Sequence, residues 1–381
     1  MMTVRDAYDP LGTAGGSRTP PPRIRIAVPN VGEEEVAAVT EVLGSGILTN
    51  GPATKRFEDA MAQRHGAAHA VAFANGTVAL AAMYLACGIG PGDEVIVPSL
   101  TFISTATSVL HIGATPVFAD VSPDTLNLDP DDVARRMTPR TRAIVPVHYG
   151  GQAADLDELR AIADAHGAVV LEDAAEAHGA RYRGRPVGST TDAAMFSFTP
   201  TKNITTGEGG IVTTNRSDLD QAMRLLRNHG MDAPYHHAAL GWNWRITEMQ
   251  AAMGVCQVER LDHILERKRA NAAALTARLA PIAGVQTPTE APDRDHTYML
   301  YTVQLPADRR DQVAADLAAD GIEARIYFPP AHLQPVFADT PSDGLAVTED
   351  VARRILSLPV HLSLSEQDLD DIAASIARSL A

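Results

Sequence analysis

Lysine is nearly missing from this 381-residue chain: of its 32 basic side chains 29 are Arg, and only Lys55, Lys202 and Lys268 are Lys. Any chemistry that needs a side-chain primary amine is confined to those three positions. Cysteine is scarcer still, with Cys87 and Cys256 alone and far apart, which excludes a disulfide framework, a CxxC motif and a zinc ribbon, and fits a reducing compartment. Positive charge is in deficit, 32 basic residues against 47 acidic giving −15 and a pI near 5.3. No global field collects phosphate backbones or anionic lipid, so neither nucleic acid nor a membrane surface is expected as the main partner. No run of about 18 apolar residues occurs, and the first residues, MMTVRDAYDPLGTAGGSRTPPP, lack the apolar core of a signal peptide. A soluble, cytoplasmic protein is expected. GxxxxGK[ST], GxSxG and HExxH are all absent, and His236-His237 lacks further ligands at metal spacing, so no metal site is expected.

What is present is ordinary for a folded enzyme: 45% hydrophobic and 21% charged residues, at a length that allows two to three domains of about 150 residues. Residues 1–22 end in a Gly, Ser and Pro-rich stretch that cannot repay ordering entropy by burial, and they are expected to be a mobile tail. Seven short apolar runs, 68–73, 94–97, 115–119, 142–147, 168–171, 193–198 and 210–213, are expected to be buried strands. Helical stretches at 77–86, 103–111, 155–166 and 218–228 alternate with them, which implies a largely parallel α/β sheet covered on both faces. A long amphipathic helix is expected over 247–279, with Asp262, Glu266, Arg267 and Lys268 on its wet side. Beyond it, strands at 298–304 and 322–326 and helices at 311–319 and 366–380 suggest a smaller α+β domain. The expected division is therefore a large domain over 23–255 and a small one over 256–381.

Candidate chemistry concentrates at strand ends. Lys55 sits on an amphipathic helix and Lys268 among like charges, so a solvated face accounts for both. Lys202, in FSFTPTKNITTGEGG, follows an apolar strand amid hydroxyls with no acidic neighbour before Glu208. Partial desolvation there would free its amine for Schiff-base chemistry, although a surface loop lysine is the plainer alternative. Asp173 closes the run 168–171, where open α/β sheets bind ligands; capping the next segment is the alternative. Asn75-Gly76-Thr77 precedes the helix at 78–86 and suits a phosphate cup at a helix N-terminus, or simply a cap. Ser197 could add a hydroxyl to the same anion. Gly88 to Asp93 precedes its strand and reads as a turn.

The ordered motifs LGSGILTNGPATKRFE, ANGTVAL, GPGDEVIVPSLTFISTA, GATPVFADV, VHYGG, LEDAAEAHGARYRGRPVGS, FSFTPTKNITTGEGG, RNHGMD and GWNWRITEMQAAMG resemble those of the DegT/DnrJ/EryC1/StrS group of pyridoxal-phosphate-dependent sugar aminotransferases. The resemblance runs from about Ile24 to the C-terminus, and perosamine-type members look similar. It implies the fold type I (aspartate-aminotransferase-like) architecture: a large, mostly parallel seven-stranded sheet domain and a smaller α+β domain. It implies Lys202 as the internal-aldimine lysine and proton shuttle, with Asp173 on the pyridinium nitrogen. Phe102 would stack on the ring, Gly76, Thr77 and Ser197 would hold the phosphate, and Glu176 would lie near the ring hydroxyl. Asn243 would reach the phosphate from the other subunit of a homodimer with shared active sites, and His148 and His332 would lie near the sugar.

The implied reaction moves an amino group from L-glutamate or L-glutamine to a keto-sugar, a nucleotide-linked 4-keto-6-deoxyhexose, by way of pyridoxamine phosphate. Rival readings are a cyclitol or other natural-product ketone, a sugar 3-dehydratase (disfavoured because Lys202 is retained) and a non-catalytic regulator. The chain departs from the family pattern at Glu176, where Gln or His is frequent, and at Trp244-Arg245-Ile246, where Tyr-Arg-Met is common.

Overall fold

The computed structural model describes residues 22–381; the tail expected over 1–22 lies, but for Pro22, outside the described residues. In chain order the main elements are α1 (Glu33–Ser45), α2 (Pro52–His65), β1 (His69–Phe73), α3 (Gly76–Ala86), β2 (Glu94–Pro98), α4 (Ser104–His111), β3 (Thr115–Ala119), α5 (Pro130–Arg136), β4 (Thr141–Ile144), α6 (Leu156–His166) and β5 (Val169–Asp173). They continue with β6 (Ala193–Ser197), β7 (Gly210–Thr214), α7 (Ser217–Arg227), α8 (Glu248–Glu259), α9 (Leu261–Leu279), β8 (Tyr301–Gln304), α10 (Arg310–Ala319), α11 (Ala346–Arg354), β9 (Ile355–Leu358) and α12 (Glu366–Leu380). All seven expected strands are present.

β1 to β7 form one sheet in the order β1-β7-β6-β5-β4-β2-β3. β7 runs antiparallel to both of its neighbours, and the remaining pairs are parallel. Such a sheet must be buried on both faces, and its strands are mainly apolar rather than alternating, with polar exceptions that include Arg142 of β4 and Glu172 and Asp173 at the end of β5. In β2, Val95 and Val97 enter the cluster under α3 and α4, whereas Ile96 points the other way into the cluster with Leu159 and Ala163 of α6. In β1 the same alternation sends Val71 and Phe73 to the first cluster and Ala70 and Ala72 to the side of α2 and α8. A buried Phe or Val contributes about 1.5–3 kcal/mol. These layers hold the strand ends rigidly enough to carry a site.

The long helix expected over 247–279 is two helices. Arg260 ends α8 and begins α9 at φ −91°, ψ −2°, and its guanidinium is drawn to Glu35 of α1 and, at 3.3 Å, to the Asn30 carbonyl. Lys268, expected on the wet side, is instead buried. Toward the C-terminus β8 pairs antiparallel with β9. Leu275 and Leu279 of α9, Tyr301, Val303, Leu356, and Leu369, Ile372 and Ile376 of α12 form a further core there. The strand expected over 322–326 is only two isolated bridges, Ile24 with Ile322 and Arg325 with Ser357. β9, with no turn chemistry between it and the preceding helix, was not expected. Among the described residues no helix is long and apolar enough to cross a membrane.

Candidate active site

The carboxyl ends of β1, β5 and β6 lie side by side with the start of β7, and the register places Gly210 opposite both Phe73 and Ser197. A Cβ at Gly210 would lie 2.5 Å from the Asn75 carbonyl oxygen, so only glycine lets β7 pass this close. Asn75 caps α3 through a 3.0 Å bond from the Val78 N–H to its Oδ1. That leaves the N–H groups of Gly76 and Thr77 without helical acceptors, as at any helix start. Thr77 Oγ1 lies 2.8 Å from Ser104 Oγ. A Cβ on Gly76 would press on Ser197 at 3.2 Å. N–H groups, two hydroxyls and the positive end of a helix thus meet where an anion would be favoured.

Asp173 is the last residue of β5 and is buried. Its Oδ2 accepts from Thr105 Oγ1 at 2.7 Å and its Oδ1 from the Ala175 N–H at 3.1 Å. Burial pushes its pKa above the usual carboxylate value, and those hydrogen bonds and the Lys202 charge offset part of the rise. A cation facing this carboxylate would favour its ionised form.

Lys202 stands in the loop between β6 and β7, its backbone N–H on the Thr199 carbonyl at 3.0 Å. Its Nζ donates to Glu176 Oε1 at 3.4 Å with both side chains largely buried. The other Glu176 oxygen accepts the Gly150 N–H at 2.8 Å. Phe102 is 56% exposed, yet its ring packs edge-on against Phe328, 5.9 Å between centroids. Gly76, Thr77, Phe102, Asp173, Glu176, Ser197 and Lys202 all line one cavity of about 620 Å³, in which Lys202 is the sole lysine.

Three expected site residues lie elsewhere. His148 is fully buried, with Nε2 2.7 Å from Glu172 Oε2 and Nδ1 accepting the Ala154 N–H at 3.0 Å. Both nitrogens are spent on the scaffold, and the side chain lines no part of this cavity. His332 pairs Nδ1 with Ser99 Oγ at 2.6 Å, sets Nε2 3.5 Å from Glu349 Oε1 and lines no part of this cavity. Asn243 is exposed, bridged to Asn228, and does not enter the cavity of its own chain. Residues not anticipated are Thr105, which holds Asp173, Ser104, and Met299, Leu300, Tyr327 and Phe328, which wall the cavity from the C-terminal part. The hydroxyl-rich run after Phe102 signalled the first two; nothing local signalled the others. Among the described residues no group of three or more His, Cys, Asp or Glu is placed to hold a metal ion.

The model of the DegT/DnrJ/EryC1/StrS aminotransferase family matches residues 29–377. The chain belongs to that family. This aminotransferase is 44% identical to GDP-perosamine synthase of Caulobacter vibrioides over 94% of its own length and 99% of that protein's. It is 42% identical to dTDP-3-amino-3,4,6-trideoxy-alpha-D-glucose transaminase of Streptomyces venezuelae, over 90% and 93% of the two chains. Among solved structures, S. venezuelae DesV superimposes with a TM-score of 0.88 at 41% identity, covering 91% of this chain and 94% of that one. The fold is the type I α/β architecture of pyridoxal-phosphate-dependent aminotransferases. Aminotransferases of this family use pyridoxal phosphate, and the cavity's groups suit its parts: donors at the α3 N-terminus for a phosphate, a buried carboxylate for a pyridinium and an amine for an aldehyde.

Proposed function

We propose that this aminotransferase binds pyridoxal phosphate in the cavity at the strand ends. It then moves an amino group from L-glutamate or L-glutamine to a keto-sugar, a nucleotide-linked 4-keto-6-deoxyhexose. The observation that carries the reading is the convergence of Lys202, Asp173 and the α3 N-terminus on one cavity. The names of relatives more than 40% identical, which specify GDP- and dTDP-linked amino sugars, support the substrate class.

When bound, the cofactor supplies a carbon that can carry the amino group between substrates and a ring that accepts electrons. Gly76, Thr77 and Ser197 hold its phosphate. Asp173, kept in place by Thr105 and the Ala175 N–H, would hold a proton on the ring nitrogen. Phe102, in the cavity wall, would pack on the ring. Lys202 would be the amine that holds the cofactor's aldehyde and serves as the proton carrier, with Glu176 balancing its charge. Met299, Leu300, Tyr327 and Phe328 narrow the cavity and exclude water. Asn243 completes the phosphate site of the other subunit in a homodimer.

Replacing Lys202 by Ala should lower kcat by about 10³-fold or more, within the range positioned proton transfer contributes. Wild-type turnover by the folded variant, with either donor and a keto-sugar, would remove Lys202 from the chemistry.

A further inference from the structure

α9 buries a stripe formed by Leu261, Ile264, Leu265, Ala272, Leu275 and Leu279, and Lys268 lies within it. Only 5% of this lysine is exposed. Its Nζ donates to Asn203 Oδ1 at 2.8 Å and to the Met299 carbonyl at 3.3 Å. Asn203 directly follows Lys202, and Met299 lines the cavity from the other side. Asn203 Nδ2 in turn reaches the Thr297 carbonyl at 3.4 Å. The amine therefore ties together two segments that enclose the reacting lysine. A core-facing lysine with no carboxylate in hydrogen-bond contact is an expensive choice for packing alone.

The titratable groups whose fields couple to Lys268 are Glu176, Lys202, His178, His296 and His361. Burial leaves His178 well below its ordinary value, takes His296 down to about 3 and lowers His361 too. All three rings are therefore neutral at pH 7. On α9 itself, Arg269 is turned to the His296 carbonyl at 2.9 Å. Two amines, Lys202 and Lys268, then share one carboxylate, Glu176. Burial first, and the Lys202 charge after it, bring the Lys268 pKa down to about 7 against the pull of Glu176. At that value an amine exchanges its proton under physiological conditions.

We propose that Lys268 is a positioning residue for the transamination: it ties the Lys202–Asn203 segment to Met299, and it takes up a proton from solvent as the counter-ion of Glu176 whenever Lys202 is uncharged. The physical reason is that a buried carboxylate stripped of its partner is costly, and Lys268 is the other amine within its field. The proposal rests on Lys202 being the reacting amine.

With three lysines in the chain, ¹³C labelling at the lysine ε-carbon gives three signals, assigned by single replacements. Titrating the full-length protein without cofactor should give a Lys268 midpoint near 7. Adding pyridoxal phosphate, which engages Lys202, should raise that midpoint by about one pH unit or more. Lys268→Gln should lower kcat about tenfold, keep the KM for the keto-substrate within about threefold, and abolish the near-neutral inflection of the kcat profile. Lys268→Arg, permanently charged, should not restore that inflection. A midpoint at the ordinary lysine value of about 10.4, or one unmoved by the cofactor, overturns the proposal; so does a wild-type profile in Lys268→Gln. If neither variant folds, the wild-type titration alone decides. Activity surviving in Lys202→Ala would instead defeat the reading of Lys202, a separate outcome.

Discussion

The Glu176 carboxylate meets the Lys202 amine at 3.4 Å with one oxygen and the Gly150 N–H at 2.8 Å with the other. Gly150 adopts φ 63°, a left-handed conformation that glycine takes without strain and that turns its N–H toward the carboxylate. Glu176→Gln keeps the shape and an acceptor for Gly150 but removes the charge that Lys202 and Lys268 share. The cofactor-free protein should lose about 3 kcal/mol of stability at pH 7, the range for breaking a buried pair. Denaturant unfolding of the two proteins side by side checks this, and equal midpoints would mean that the carboxylate does not carry that charge.

Asp173 pays for function in stability. Burial raises its pKa in the folded chain, so the native state binds its proton more readily than the unfolded state does. The stabilisation from that proton is complete below the unfolded carboxylate pKa of about 3.9 and is lost as pH rises through the raised folded value. Asp173→Asn, which can still accept from the Ala175 N–H, should therefore raise the melting temperature of the cofactor-free protein at pH 7 to 8. The gain should shrink toward pH 4. In the same variant kcat should fall by about 10²-fold or more, because an amide cannot hold a proton on a ring nitrogen. Melting curves across pH and steady-state kinetics test the two halves independently.

Gly210 isolates the role of the anion site. A Cβ there would meet the Asn75 carbonyl at 2.5 Å and the Gly76 backbone nitrogen at 2.9 Å, contacts with backbone that cannot swing aside. Gly210→Ala should displace the first turn of α3 and weaken cofactor retention by about tenfold or more, with a stability loss of about 1–3 kcal/mol. Equilibrium dialysis against pyridoxal phosphate measures the first effect. Unchanged retention would show that the N-terminus of α3 is not where the phosphate is held.

The large sheet was legible because a mostly parallel sheet buried on both faces leaves short, mainly apolar strands that local patterning exposes. Lys202 was legible for a different reason: with so few lysines, one beside a strand end stands out. Lys268 was not, because its neighbours Arg267 and Arg269 disguise a core-facing position, and only the spacing from Ile264 and to Ala272, four residues each way, marks the buried stripe. The surroundings of His148 were not legible, because a histidine near a strand end looks the same whether it faces ligand or scaffold. Its partner Glu172 precedes Asp173 in the same strand, where successive side chains point to opposite faces, so one serves the core and the other the cavity. The walls at Met299, Tyr327 and Phe328 come from residues distant in sequence, and no local pattern announces such contacts.

The most direct measurement is to incubate the protein with pyridoxal phosphate, reduce it with borohydride, and map the modified lysine by peptide mass spectrometry. The added mass is expected on the peptide containing Lys202 at one per chain, with Lys55 and Lys268 unmodified. Label on Lys268, or none on Lys202, would contradict it.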